Sequence, residues 1–314
     1  MRQQKPWYER GMNQRSCQLL QQSFDSSAVL AGLQDQQQAA AAAGGAAPQL
    51  HILTIIGSNT PQARVESSPL LQSLPPGQRS RVTVLQAETR MGHGLQGFGA
   101  YGAKIIELYK YVSDSSIPPT DLVLLTDAFD VVMDAQAIAS IPDKFAAVTN
   151  SSSSSSGGSG GSLAVLFAAE RACWPDITRW SCYPQLQHTP YRYLNAGGLV
   201  GHVGYLRALL QPLMGLVSSW TDDQRFYSTA YLALREQHGF HIDSGCEVFQ
   251  TLNQVDLMAG ELLFDAERGG WFNVETNSYP VLMHGNGNTK DAFFGEVLPK
   301  VAGGWHWLNN SKTR

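Results

Sequence analysis

Asp127 and Asp130 stand three residues apart in the segment DLVLLTDAFDVVM (121–133), directly after a run of apolar residues. A carboxylate at the end of a buried strand is costly unless it is paired or bound to a cation. Two on one turn can converge on a single hard divalent ion, and oxygen ligands suit magnesium or manganese. Such an ion bridges two phosphates and draws charge from a departing diphosphate. Phe129, between the two acids, offers a flat face on which a base can stack. The alternative is an acidic turn that caps the next helix.

Four further segments carry chemistry. In VLMHGNGNTK (281–290), His284 follows an apolar strand and precedes Gly285, Asn286 and Gly287, with Lys290 a little further on. Glycines there let backbone N–H groups approach phosphate oxygens. His284 is a candidate third metal ligand and Lys290 a phosphate partner, against the plainer role of a strand-ending hydrogen-bonder. In WTDDQRF (220–226), Asp222 and Asp223 open a helix. One acid satisfies a cap, so the second is available to sugar hydroxyls or to an acceptor. In YRYLNAGGLVG (191–201), Asn195 precedes two glycines, which predicts a strand entering a closely packed wall with the amide facing a polar ligand. Glu170 and Trp174, in FAAERACWPD, end another strand and are expected to line the same cleft, the indole stacking on a sugar face or simply packed.

The elements that must position these residues are short apolar strands alternating with helices. Strands are predicted at 50–56 (LHILTII), 82–87 (VTVLQA), 122–125 and 163–168 (LAVLFA). Helices are predicted at 100–113, where Ile105, Tyr109 and Val112 fall at helical spacing, after His202, and from Asp222 to about Glu236. This alternation predicts an α/β fold, a mostly parallel sheet with helices on both faces, with ligands at the carboxyl ends of the strands.

The 314 residues are 43% hydrophobic and 15% charged, with a formal net charge of −4. That is enough apolar material for a large core, and it does not describe a polyanion-binding surface, so nucleic acid is excluded as the expected partner. No apolar stretch reaches 18 residues, so no membrane span is expected. Residues 1–48, rich in Gln, Ala and Ser, read as mostly disordered with transient helix. Residues 49–310 read as one domain, interrupted by a Ser/Gly-rich surface insertion at 150–162. The start lacks the apolar core of a signal peptide. The chain is therefore expected to be cytosolic or a piece of a longer protein, and its end after Arg314 favours the piece. Cys173 and Cys182 are either bridged or free. Asn150 and Asn309 sit in Asn-x-Ser sequons.

Taken in chain order, LLTDAFDVVM, LFAAERACWPD, RYLNAGGLVG, DDQRFY, EVFQTLN, VLMHGNG and a terminal GGW resemble the glycosyltransferase domain of the procollagen lysyl hydroxylase/glycosyltransferase family, over roughly residues 50–310. The resemblance implies a GT-A-type, Rossmann-like mixed sheet, Mn as the metal, UDP-glucose or UDP-galactose as donor, and a location in the secretory lumen. It implies Asp127, Asp130 and His284 as metal ligands and Phe129 as the residue stacked on uracil. Thr54, Ile56 and Ser58 would cradle base and ribose, and Lys104 would lie near the diphosphate. Asp222 and Asp223 match acids needed for transfer, and Asn195, Glu170 and Trp174 match the sugar and acceptor cleft. The acceptor implied is a hydroxylated protein or glycan, hydroxylysine or galactosyl-hydroxylysine of a collagen-like chain. This sequence departs from the family in its short acidic run before the Asp222–Asp223 helix and in its Ser/Gly insertion, and the family's iron-binding hydroxylase domain is absent from these residues.

Three rival readings compete. His241-Ile242-Asp243 suits an iron and 2-oxoglutarate hydroxylase, but that chemistry needs a later His on a jelly-roll strand, whereas strands and helices alternate here. The run from Gly92 to Gly97 fits GxGxxG, but it follows the second strand rather than the first, and reads as a loop that closes over the donor. The last rival is a non-catalytic sugar- or protein-binding module that keeps the fold.

Overall fold

The computed structural model of the chain describes residues 11–22, 26–42, 47–88, 101–151, 162–235 and 239–301. Its centre is a six-stranded sheet built from β1 (Leu50–Gly57), β2 (Val82–Ala87), β3 (Leu122–Thr126), β5 (Val165–Glu170), β6 (Tyr193–His202) and β7 (Phe240–Ile242). Their spatial order is β2-β1-β3-β6-β5-β7. β1 pairs in parallel with β2 and β3, and β5 with β7, while β6 runs antiparallel to both β3 and β5. The sheet is thus mixed and mostly parallel, as the strand–helix alternation predicts. β3 and β5 are buried along their whole length, which is why they read as continuous apolar runs.

One face of the sheet carries the helices Tyr101–Val112, Val203–Leu210 and Asp223–Leu234, whose apolar stripes meet Leu53, Val123 and Phe167 in one core. The other face packs Ile52, Leu124 and Leu166 against Ile141 and Phe145 of the helix Ile141–Ser151 and against Leu70. A smaller sheet joins β4 (Val131–Met133), β11 (Leu282–His284) and β8 (Phe249–Thr251) in the order β4-β11-β8. β9 (Leu262–Asp265) and β10 (Gly270–Asn273) form an antiparallel pair beside it. No helix among the described residues is long and apolar enough to cross a membrane.

Two findings differ from the sequence expectations. Within 1–48, where composition predicts disorder, the chain forms the helices Gln14–Gln22 and Ser27–Ala42. Val29 and Leu33, one turn apart, are buried, and the second helix packs on Val203–Leu210. Burying two such side chains contributes roughly 1.5–3 kcal/mol each, which a count of Gln and Ala does not register. Cys182 is bonded to Cys17, not to its near neighbour Cys173, which is a free, half-buried thiol. The helix holding Cys17 packs on the 223–234 helix and on residues 177–182, and that packing brings the two sulfurs together across 165 residues of sequence. The Gly92–Gly97 run, residues 152–161 of the insertion, Asn309 and the terminal GGW lie outside the described residues.

Candidate active site

The reversal of β6 places the site. Its amino end lies at the edge where β3 and β5 finish, so Asn195 enters beside Thr126 and Glu170. The register between β5 and β6 shifts after Phe167, which pairs with Leu199, to Ala168, which pairs with Asn195. Ala196, Gly197 and Gly198 form the resulting bulge. Its backbone groups are met locally. Gly197 donates its N–H to Asn195 Oδ1 at 3.0 Å, Ala196 donates to Gln224 Oε1 at 2.8 Å, and the Gly197 carbonyl accepts from Asp127 N–H at 3.2 Å. A side chain on Gly197 would bring its Cβ within 2.2 Å of His284 Cε1, so only glycine lets the imidazole reach this wall.

Asp127 follows β3, Asp130 leads into β4, and His284 ends β11, which pairs with β4 through His284 opposite Val131. Carboxylate oxygens of the two acids and a nitrogen of His284 all lie within 4.8 Å of one another. His284 Nε2 is 3.4 Å from Asp130 and 3.8 Å from Asp127. Its other nitrogen, Nδ1, is 3.2 Å from Asn195 Oδ1. That oxygen already accepts the Gly197 N–H, which identifies it as the carbonyl end of the amide. Nδ1 is therefore the donor, and Nε2 is turned towards the acids. Asn195, expected to face a ligand, instead orients His284. Two carboxylates and one imidazole nitrogen around a common point form a donor set that fits a hard divalent cation.

Cations from two directions offset the acids. Lys104 Nζ, on the 101–112 helix, lies 2.6 Å from Asp127 and 3.3 Å from Asp223. Lys290 is hydrogen-bonded to Asp130 and donates to the Gly285 carbonyl at 2.7 Å. Burial alone would raise the Asp130 carboxyl, but His284 and Lys290 hold it well below the usual range. Burial pulls His284 down, yet Asp130 and Asp127 more than offset this and raise it. Burial likewise lowers Lys104, and its two carboxylate partners raise it above its ordinary value.

The two acids of the DDQ run separate. Asp222 caps the 223–234 helix by accepting the Arg225 N–H at 2.8 Å. Asp223 is buried, points to Lys104 and has a raised pKa, burial outweighing the nearby ammonium. Glu170, at the end of β5, is buried too. Its Oε1 accepts from Gln224 Nε2 at 2.6 Å and its Oε2 from Asn286 Nδ2 at 2.9 Å. Burial pushes its carboxyl up to about 7 against hydrogen bonds from Asn195, Gln224 and Asn253 and the charge of His284. A carboxyl titrating near neutrality can exchange a proton at physiological pH.

Several expectations about the nucleotide side change. The Gly285 N–H is committed to the Asp130 carbonyl at 2.8 Å and so is not presented to a phosphate. Asn286 braces Glu170 and accepts the N–H groups of Leu252 and Asn253 at 3.1 and 3.0 Å. Gly287 makes a turn with φ +62°. Thr54 and Ile56 are buried in β1, Ile56 within the core, because that central strand is covered on both faces; Ser58, beyond the strand, is exposed. The Thr54 hydroxyl has no hydrogen-bond partner among the described residues. Phe129 is half-buried, and the Arg64 guanidinium lies 5.0 Å over its ring. Trp174 is exposed rather than packed.

The sequence of the PLOD GT domain family matches residues 79–302. The chain belongs to this family. Among relatives of this PLOD GT domain, the human procollagen-lysine,2-oxoglutarate 5-dioxygenase 2 is 31% identical over 218 residues, 68% of this chain and 27% of that protein. The multifunctional procollagen lysine hydroxylase and glycosyltransferase LH3 of Pongo abelii is 31% identical over 63% of this chain and 24% of that protein. The chain thus spans about a quarter of the length of these relatives. A solved glycosyltransferase involved in glycosylation of the major capsid of PBCV-1 covers 78% of the chain at 10% identity with a TM-score of 0.44.

Gln224 was not picked out from the sequence, yet it ties the PLOD GT domain's site together. Its amide donates to Glu170, to the Leu194 carbonyl at 2.7 Å and to the Trp174 carbonyl at 3.3 Å. Its position one residue after the two acids was the available signal. The hydroxylase rival loses its ligand: Asp243 is fully buried, and its carboxylate accepts the N–H groups of Glu247, Val248 and Phe249 at 2.8–2.9 Å. Burial raises it to about 6.

Proposed function

We propose that the chain is a UDP-sugar-dependent hexosyltransferase that moves glucose or galactose to a hydroxyl acceptor. The observation that carries this is the convergence of Asp127, Asp130 and His284 at the carboxyl edge of the sheet, with Nε2 turned inward by Asn195. These three residues would hold the divalent cation, Mn2+ in our reading, and a cation there supplies Lewis-acid stabilisation of a leaving diphosphate. Lys104 and Lys290 flank the same point and neutralise phosphate charge. Phe129 carries the uracil ring, with Ser58, exposed beyond the end of β1, as the remaining candidate from that strand for the ribose. Asp223, held by Lys104, positions the sugar. Glu170, fixed by Gln224 and Asn286, is placed to take the acceptor's proton.

By family, the acceptor we infer is a protein hydroxyl, such as hydroxylysine or galactosyl-hydroxylysine in a collagen-like chain, and the compartment the secretory lumen. The Cys17–Cys182 bond supports that compartment, because such bridges persist where thiols are oxidised. Residues 49–310 form the transferase domain in this reading. The deciding experiment incubates the protein with UDP-glucose and UDP-galactose, with and without Mn2+, and measures UDP release. Metal-dependent release with one donor supports the assignment; no release with either makes the chain a binding module that keeps the fold.

A further inference from the structure

Exposed tryptophans are expensive to leave in water, and an apolar cluster at the rim of a site marks a surface that receives something. Trp220 is 64% exposed, Leu216 78% and Trp174 63%, with Ile177 also exposed. They come from two segments that meet at the start of the 223–234 helix. Residues 174–177 are tied to it by the Gln224 bond to the Trp174 carbonyl and by the Arg225–Asp176 ion pair at 3.1 Å. Trp220 precedes the capping Asp222 by two residues and sits in a turn closed by Thr221 N–H to the Ser218 carbonyl at 3.0 Å and Ser218 N–H to Thr221 Oγ1 at 2.9 Å. The turn is pressed onto the first residues of the 101–112 helix. A Cβ on Gly102 would stand 1.9 Å from the Ser218 carbonyl, so the contact exists only because residue 102 has no side chain. Two residues on, Lys104 reaches Asp223. The indole is thus held out into solvent by a fixed support, two residues before the pair Asp222 and Asp223.

We propose that Trp220 and Leu216, with Trp174 and Ile177 across the helix start, form the seat for the polypeptide chain on either side of the acceptor hydroxyl. The proposal rests on the transferase reading above. A peptide fits better than a glycan: Leu216 and Ile177 extend the surface with aliphatic side chains that offer sugar hydroxyls nothing, whereas alkyl groups and saturated rings of a peptide pack on both leucine and indole. Asp176 lies between Arg179 and Arg225, at 3.0 and 3.1 Å, and Asp222 caps the helix, so the charges beside the rim are matched and a neutral stretch of chain fits it best.

The test uses Trp220→Ala and Leu216→Ser in the full chain, with three probes: hydrolysis of the UDP-sugar without acceptor, transfer to free hydroxylysine, and transfer to a neutral twelve-residue peptide carrying one hydroxylysine. The expected result is hydrolysis and free-amino-acid transfer within about twofold of the parent, and a KM for the peptide raised on the order of tenfold at unchanged kcat. Equal changes for peptide and free amino acid, or no change for the peptide, would overturn it. If the parent protein releases no UDP, the transferase reading fails. Peptide binding by fluorescence anisotropy then decides the surface: tenfold weaker binding to Trp220→Ala supports it, and equal binding sinks it.

Discussion

The carboxylate corner and the indole rim lie on two sides of the Asp222–Asp223 helix start, and they are filled in opposite ways. In the corner, Asp127 meets Lys104, Asp130 meets His284 and Lys290, His284 meets Asn195, and Glu170 meets Gln224 and Asn286. On the rim, Trp220 and Leu216 stand mostly in water. The corner is arranged before any ligand arrives, as is needed where charge must be met at set distances. The rim keeps apolar area uncommitted, as is needed where a partner must be recognised by burying it.

The comparison breaks most directly at Asp130. Asp130→Ala should cut metal-dependent UDP release by about a hundredfold or more while leaving the melting temperature close to the parent's; turnover kept in that variant would remove the corner from the chemistry. Gly197→Ala should push His284 off its wall and weaken Mn2+ binding by roughly 10–100-fold, read by metal titration of UDP release. Phe129→Ala should weaken UDP binding by roughly three- to tenfold, read by calorimetry, with turnover at saturating donor retained; lost turnover at unchanged affinity would contradict the stacking role. The smallest effect concerns Glu170. Its folded value of about 7 exceeds the free value of 4.5, so the fold favours the protonated form. That stability is complete below pH 4.5 and lost as pH rises through 7, at most about 3 kcal/mol. Glu170→Gln should lower melting at every pH, because its amide sets one N–H against a donor, but should flatten the decline between pH 4.5 and 7 by a few degrees.

Much of the scaffold could be read from residue order. The segments 82–87 and 122–125 are strands as expected: 122–125 is a short apolar run because it is buried along its length, and 82–87, at the sheet edge, shows only partial burial and mixes apolar with polar residues. The Asp127–Asp130 spacing and the strand-ending His284 are visible for the same reason: polar residues at the end of apolar runs stand out. The direction of β6 is not legible, because a strand carries no mark of which way it pairs. β4, three residues long, is too short for any periodicity. The bonds that Asn195 and Gly285 make are not legible, because their partners, His284 and Asp130, are remote in sequence, and only the fold reveals which atoms are already engaged. Gln224 has the same cause, and so does Cys17.

The covalent link at Cys17 has a practical consequence for anyone producing the chain. Residues 11–22 touch the 177–182 segment through Met12 N–H to the Thr178 carbonyl at 2.8 Å and Ser181 Oγ to the Met12 carbonyl at 2.7 Å, the helix also packs on the 223–234 helix, and one sulfur–sulfur bond adds a covalent tether. Expressed in a glutathione-rich cytoplasm, the protein would keep its sheets and lose that tether, leaving the helix Gln14–Gln22 docked by contact alone and two thiols added to the free Cys173 and Cys246. Material made that way would carry an intact carboxylate corner under a loosened edge, and a poor yield with a bulky substrate would then report on the host cell's redox state, not on the enzyme.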